Sequence, residues 1–275
     1  HPEDPAAAGS ILESLPKDAP TPADRLRTLD HLAKGGALEL AGFRAWRWTP
    51  DAEGARAAKL ALTDRIRLTK YLIYESAGSP ERTDTFDTAL YAAPTGEEAR
   101  QLTRQAVFAG AYEPGGAHAG EARPLVWMSR RDVNRAILQG SVQVRFADGT
   151  SRMLNVHVSN DVPYDRTIRD PNLQGRYWYF REVEGFRGYG DTDKIRLEPG
   201  VTVAGDVFGL GLGTVLLVSD GTVGRVVVLA DTGGAFQPNL YQLDWFAGVF
   251  PDHAAYEAGT AHLPTKAEAW VLVAR

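Results

Sequence analysis

Two textures of apolar spacing divide the chain near residue 106. Before it, Thr21-Pro22 pairs a capping residue with a proline suited to a first helical turn. Leu26, Leu29, Leu32 and Ala33 follow at helical spacing up to Gly35-Gly36. Leu60, Leu62, Ile66, Tyr71 and Ile73 predict a second helix across Ala55 to Ala77, near Gly78, and Glu97 to Val107 a third. After it, Val142-Gln143-Val144-Arg145-Phe146 alternates strictly, Ala147-Asp148-Gly149-Thr150 supplies a hairpin turn, and Ser151 to Val158 alternates on the far side. Further strands are predicted at Tyr177–Glu182, Val201–Ala204, Val215–Ser219, Val226–Ala230 and Ala269–Val273, with a second hairpin at Asp220-Gly221. Many short strands broken by Gly and Asp turns, without regular helices between them, predict a barrel rather than a doubly wound sheet. The reading is α+β and mainly β in the C-terminal two thirds. Residues 1–20 form an extended leader rich in Pro, Ala and Asp, 21–105 a mainly helical N-terminal region, and 106–275 the barrel region.

At 275 residues the chain suits one large domain or two smaller ones, and 44% hydrophobic with 24% charged residues describes a globular protein. A net charge of −5 argues against nucleic acid as the default partner. No run reaches the roughly 18 to 20 apolar residues of a membrane span. The absence of cysteine removes thiol nucleophiles, thiolate metal sites and disulfides together. Histidines at 1, 31, 118, 157, 253 and 262 have no ligand-like spacing, so neither a metal nor a cofactor is expected. A start at His1, without Met, reads as a processed chain from which a targeting segment has gone.

Two aspartates carry the candidate chemistry. Asp231 follows the apolar run Gly224 to Leu229 and opens the turn Thr232-Gly233-Gly234-Ala235-Phe236. It is read either as a turn carboxylate bonded to Thr232 and the amides after it, or as a functional acid. A single Asp-Thr-Gly does not make an aspartic-protease pair, which needs two carboxylates sharing a proton. Asp244 interrupts the aromatic segment Tyr241 to Phe246. Either it faces solvent on an alternating strand, or its apolar setting raises its pKa and keeps it protonated, as a general acid for glycosidic cleavage requires. Tyr177, Trp178, Tyr179, Phe180 and Trp245 are read as sugar-stacking surfaces or as core. Gly209-Leu210-Gly211-Leu212-Gly213-Thr214 lacks the helix a dinucleotide site needs after it, and is expected to form a tight bend.

Several segments resemble, in order, the MltA family of lytic murein transglycosylases and the related three-aspartate domain on a double-psi β-barrel. They are Phe108-Ala109-Gly110-Ala111-Tyr112-Glu113-Pro114, Leu138-Gln139-Gly140-Ser141 running into Asp148-Gly149, and Arg176 to Glu182. Leu197 to Ala204 with Asp206 and Leu212-Gly213-Thr214, then Asp231 to Ala235 and Leu243-Asp244, complete the set. The resemblance covers roughly residues 106 to 275. It implies a double-psi β-barrel enzyme of the periplasm or cell envelope acting on peptidoglycan glycan strands. Asp244 would be the single general acid/base, first protonating the glycosidic oxygen and then activating the muramyl C6 hydroxyl, which closes a 1,6-anhydro ring.

The same resemblance gives Asp231 an orienting role beside Asp244, Asp206 a structural one, and substrate binding to Tyr112, Gln139, Ser141, Asn160, Thr232, Gly233 and Trp245. The helical region would build a wall of the glycan groove or recruit a cell-envelope protein partner. The chain departs from the family's pattern in four places, one being an interval from Asp231 to Asp244 that is longer than the family's usual one. Gly234-Ala235-Phe236-Gln237-Pro238 replaces Gly-Ala-Ile-Lys-Gly, Ala109 replaces a threonine, and a longer Tyr-to-Tyr stretch is reduced to Asn160, Pro163 and Tyr164. Two other readings remain open: a non-catalytic glycan-binding envelope module, and a polysaccharide hydrolase using Asp231 and Asp244 as a carboxylate pair.

Overall fold

A computed structural model describes residues 20, 21, 23, 24, 27, 28, 43–48, 65–190, 194–236 and 239–274. The chain divides into two compact units. The first is built from residues up to Leu72 with Arg187–Gly248 and Glu257–Arg275, the second from Ile73–Phe186 and Val249–Tyr256.

In the first unit the strands are β1 (Phe43–Trp48), the N-terminal part of β2 (Ile66–Ala77), β8 (Thr202–Ala204), β9 (Val215–Ser219), β10 (Gly224–Asp231), β11 (Gln242–Phe250) and β12 (Lys266–Ala274). They lie in the order β1-β12-β9-β10-β8-β11-β2, and β12 also pairs with β2 through Ala267↔Ile66. The β10–β8 pairing is parallel and its neighbours are antiparallel, so the sheet is mixed. Asp220 builds the β9–β10 turn by accepting from the Thr222 and Val223 amides at 2.7 and 2.9 Å. Alternate residues of these strands, among them Leu68, Val203, Leu216, Val227, Leu243 and Val271, meet in one buried cluster. Each such side chain contributes roughly 1.5–3 kcal/mol by leaving water.

The second unit contains β3 (Thr88–Tyr91) paired with β4 (Pro124–Met128), and β5 (Ser141–Arg145), β6 (Ser151–Ser159) and β7 (Trp178–Val183) in an antiparallel row. The end of β2 pairs in parallel with β5 through Glu75↔Gln143. Glu75 accepts from both Gln143 and Arg145, at 2.7–2.8 Å. The β5–β6 turn forms as the alternation predicts, with Asp148 accepting from the Thr150 amide at 2.9 Å and Gly149 at a φ of 85°. Three helices belong to this unit: α1 (Glu97–Arg100), α2 (Arg104–Phe108) and α3 (Arg130–Gln139). Ser129 caps α3 by accepting from the Asp132 amide, and Gly140 ends it at a φ of 81°. The Gln139-Gly140-Ser141 motif is therefore a helix end, a left-handed glycine and a strand start, which is what that glycine is for. Two later helices are α4 (Val207–Leu210) and α5 (His253–Thr260), and short 3-10 turns lie at Pro171–Leu173 and Gly234–Phe236.

The predicted helix over Ala55 to Ala77 is corrected: Ile66–Ala77 is strand β2, and residues 55–64 lie outside those described. Ile66, Arg67 and Leu68 alternate between buried and exposed, but the middle of β2 is partly covered at every residue, which blurs the two-residue period. The helix expected over Glu97 to Val107 is two short helices, α1 and α2. Residues 23, 24, 27 and 28 are helical, whereas Leu26, Leu29, Leu32, Ala33 and the leader 1–19 lie outside the described residues. The described part of 21–105 holds three strands beside its short helices. The glycine segment after Asp206 bends as expected: α4 ends at Gly211 (φ 90°), and Gly213 (φ 80°) leads into β9.

Candidate active site

One small residue sets the register of two acids. Ala204 on β8 is the Cα partner of Asp231 on β10 and of Asp244 on β11. Residues in direct register point to one face of a sheet, so the two carboxylates rise on either side of the Ala204 methyl, their Cα atoms about 9.5 Å apart by two strand spacings. A register shift between Leu229 and Asp231 ends the regular β10 ladder at that point and releases the chain into the Thr232-Gly233 turn.

Tyr71 joins this pair from β2. Its hydroxyl donates to Asp231 Oδ2 at 3.1 Å, and its ring lies 5.2 Å from that of Phe246. In the strand order β2 stands three places from β10, about 14 Å in a flat sheet, farther than a tyrosine and an aspartate bridge. The hydrogen bond therefore requires that the sheet curl.

The electrostatics follow from enclosure. Loss of water raises Asp231 from 3.8 to about 6, against the opposing pull of the Thr232 amide (2.9 Å to Oδ1), the Tyr71 hydroxyl and Lys194; the charge of Asp244 adds to the rise. Asp244 is also held above its ordinary value by loss of water, while the Thr69 hydroxyl and Arg67 pull it down. Its Oδ1 is shut off from solvent without a hydrogen-bond partner among the described residues. Burial, then Asp231 and finally Asp244 push the Tyr71 hydroxyl well above its usual range, so it remains a donor. Gln242 fixes Thr69 by donating to its hydroxyl at 2.7 Å. Both acids are held upward by loss of water, which lets a carboxyl keep a proton closer to neutrality than it does in water.

Asp206 sits in the same unit and is fully buried. Its Oδ1 accepts from the Phe208 and Gly209 amides at 3.0 and 2.8 Å, and its Oδ2 from the Asn239 amide at 3.2 Å. This carboxylate is filled by backbone and ties α4 to the chain returning toward β11. Thr232 Oγ1 is enclosed without a partner, and nothing crowds Gly233, where an added Cβ would come no closer than 4.0 Å to Phe236. Trp245, expected to bind substrate, alternates to the opposite face from Asp244 and lies in the core at 4% exposure. Residues 237 and 238 of the altered turn lie outside those described.

The other expected substrate residues belong to the second unit, where enclosure gives most of them scaffold roles. Tyr112, 4% exposed, donates to the Ala99 carbonyl and shares a hydrogen bond with Tyr179. Ser141 accepts from Asn155 at 2.6 Å. Asn160, 1% exposed, donates to the Leu102 and Gly175 carbonyls and accepts from the Tyr177 and Val162 amides, which fills its capacity. Tyr177, Tyr179 and Phe180 are core, whereas Gln139 is exposed at the end of α3. The sequence reading missed Tyr71, Thr69 and Arg67 as site residues because it placed them on a helix. The alternation Ile66-Arg67-Leu68-Thr69 is the signal that marks them as strand.

Among the described residues, no three His, Cys, Asp or Glu side chains gather as a metal site, and no helix is long and apolar enough to cross a membrane. No family model matches the sequence, and no curated protein matches it. Solved structures do. Escherichia coli MltA with bound chitohexaose is 17% identical with a TM-score of 0.63, over 98% of this chain and 88% of that one. A membrane-bound lytic murein transglycosylase from Agrobacterium tumefaciens is 16% identical with a TM-score of 0.64, over 98% and 92%. MltA from Neisseria gonorrhoeae is 16% identical with a TM-score of 0.57, over 76% and 73%. At such identities the likeness is one of fold.

Proposed function

We propose that this chain, whose fold is that of the MltA lytic transglycosylases, is a divergent enzyme of the same kind. It cleaves the β-1,4 bond between N-acetylmuramic acid and N-acetylglucosamine in peptidoglycan of the cell envelope, in the periplasm. The observation that carries this reading is the pairing of Asp231 and Asp244 across Ala204, both carboxyls raised above their ordinary range on that fold. Six strands of the first unit form the proposed double-psi β-barrel. The return pairing of β12 with β2 and the Tyr71–Asp231 hydrogen bond support closure.

Asp244 delivers the first proton. Its Oδ1 is enclosed without a hydrogen-bond donor among the described residues, so nothing at that atom stabilises the ionised form. Bound glycan displaces the remaining water and raises this carboxyl further, which favours the protonated form. After bond cleavage the resulting carboxylate removes the proton from the muramyl C6 hydroxyl, which attacks C1. No water enters, and one carboxyl serves both steps because the nucleophile is already in the substrate. Asp231, held by Tyr71 and the Thr232 amide, orients the acid and sets its field. Thr232 and Gly233 are the proposed glycan contacts in the first unit.

Incubation with purified murein followed by mass spectrometry tests the reading. Products ending in 1,6-anhydro-muramic acid are expected, each lighter by one water than a hydrolytic end, and D244N should lose about 100-fold or more in rate. Products that incorporate water indicate a hydrolase, and binding without products indicates an envelope binding module. Full lytic activity in D244N overturns the assignment of the acid/base.

A further inference from the structure

The second unit carries a guanidinium that its own fold leaves without an acceptor. Arg176, just before β7, has its guanidinium carbon 4.8 Å from the Tyr164 ring centre and 5.7 Å from that of Trp178. These rings attract the cation but fill none of its five N–H donors. Its Nε is shut off from water with no hydrogen-bond partner, and among the described residues no side chain or carbonyl accepts from any of its nitrogens. Loss of water depresses its pKa, and no carboxylate offsets that effect.

The surroundings explain why no internal partner arrives. Arg104, 3% exposed, donates to the Arg176 carbonyl at 2.8 Å, to Pro171 at 2.8 Å and to Asn134 at 3.1 Å, all neutral acceptors, and its pKa is lowered by burial and by Arg176. The acids of the adjoining loop are already engaged. Asp161 pairs with Arg100 at 2.6 Å, Asp165 accepts from Thr167, and Asp170 accepts from Asn172. Two guanidinium groups therefore stand close together without a countercharge.

We infer that Arg176, held between Tyr164 and Trp178, is a binding site for a carboxylate. A carboxylate offers two coplanar oxygens to the guanidinium fork, and its single charge matches the one guanidinium that remains unfilled. Two sources carry this group: a free small carboxylate, or the peptide stem of a peptidoglycan strand. The second source rests on the proposed function, whereas the site itself does not.

Arginine-labelled protein, with the Arg176 Nε–Hε resonance identified by its loss in R176K, is titrated with acetate, with muramyl dipeptide, with chitotetraose and with inorganic phosphate. A saturable shift with acetate or muramyl dipeptide, at a Kd of about 1–10 mM, is expected. Equal saturation by the two carboxylates identifies a free-carboxylate site, and muramyl dipeptide binding about tenfold tighter identifies the stem. Chitotetraose, which has no carboxylate, should leave the resonance unmoved. R176K should weaken binding about tenfold, read at the Trp178 indole, because a lysine cannot make the fork. Should R176K not fold, Y164A opens the sandwich from its exposed side and is expected to weaken binding likewise. No saturation by either carboxylate, or preference for phosphate, overturns the inference. Anhydro-product formation from murein is scored separately, so a failed site and a failed enzyme assignment are told apart.

Discussion

Replacing Asp231 with asparagine should stabilise the protein at neutral pH. The carboxyl is held at about 6 in the folded chain, against 3.8 when exposed to water. Between those two values the folded state binds more protons than the unfolded state. Stability is therefore greatest below the unfolded value, falls as pH rises toward about 6, and stays at the lower level above it. At 1.36 kcal/mol per pH unit the ionised carboxylate costs about 3 kcal/mol at neutrality. Asparagine carries no charge; its oxygen still accepts from the Thr232 amide at the Oδ1 position, while its Nδ2 takes the Oδ2 position and donates to the Tyr71 hydroxyl, which turns to accept. Allowing for residual access of solvent, D231N should gain about 2 kcal/mol, or roughly 4–8 °C in Tm. Urea unfolding of both proteins by circular dichroism, at about pH 7.5 and about pH 4, checks the sign, with the gain present at the first and absent at the second. If D231N loses stability at neutral pH, or shifts equally at both, the carboxyl is not held upward by its surroundings and the reasoning fails. The proposed activity should fall in the same variant, since a strained, costly group at a working site is where stability and function part.

Y71F removes a donor that favours the ionised form of Asp231, so it should cost about 1 kcal/mol above pH 6 and less at pH 4 by the same unfolding assay. D206A leaves three backbone amides facing Asp206 without their acceptor inside the first unit. A loss of about 3 kcal/mol is expected in thermal melts, with D206N losing less because its oxygen still serves Phe208 and Gly209. G188A puts a Cβ 2.0 Å from the carbonyl oxygen of Ala230, the neighbour of Asp231, so that strand end must move. Both stability, by about 1–3 kcal/mol, and lytic rate should fall, and a variant with unchanged melt and unchanged rate contradicts the geometry.

Where neighbours in sequence are neighbours in space, the reading from sequence carried far. The β5–β6 hairpin depends on Asp148 and Gly149 beside two alternating strands, and the β9–β10 turn on Asp220 and Gly221. These signals are local, so they survive without knowledge of what packs above them. The helix α3 was not anticipated, although Ser129 and Gly140 cap it at both ends. Tyr112, Ser141 and Asn160 carry polar groups that sequence logic assigned to substrate. Enclosure in the second unit satisfies those groups internally instead, and no sequence spacing reveals an enclosed partner.

By itself, the sequence determined the β character of the C-terminal two thirds, several strand spans to within a residue or two, and the two acids worth following. Alternation and turn chemistry act over a few residues, and an isolated carboxylate in an apolar strand is conspicuous wherever the strand goes. Only the tertiary structure decided that Asp231 and Asp244 share Ala204 as a register partner and that β2 is a strand bringing Tyr71 to Asp231. Register between strands distant in sequence is chosen by which buried faces pack and by how the sheet curls, and neither is written within the span of any one strand.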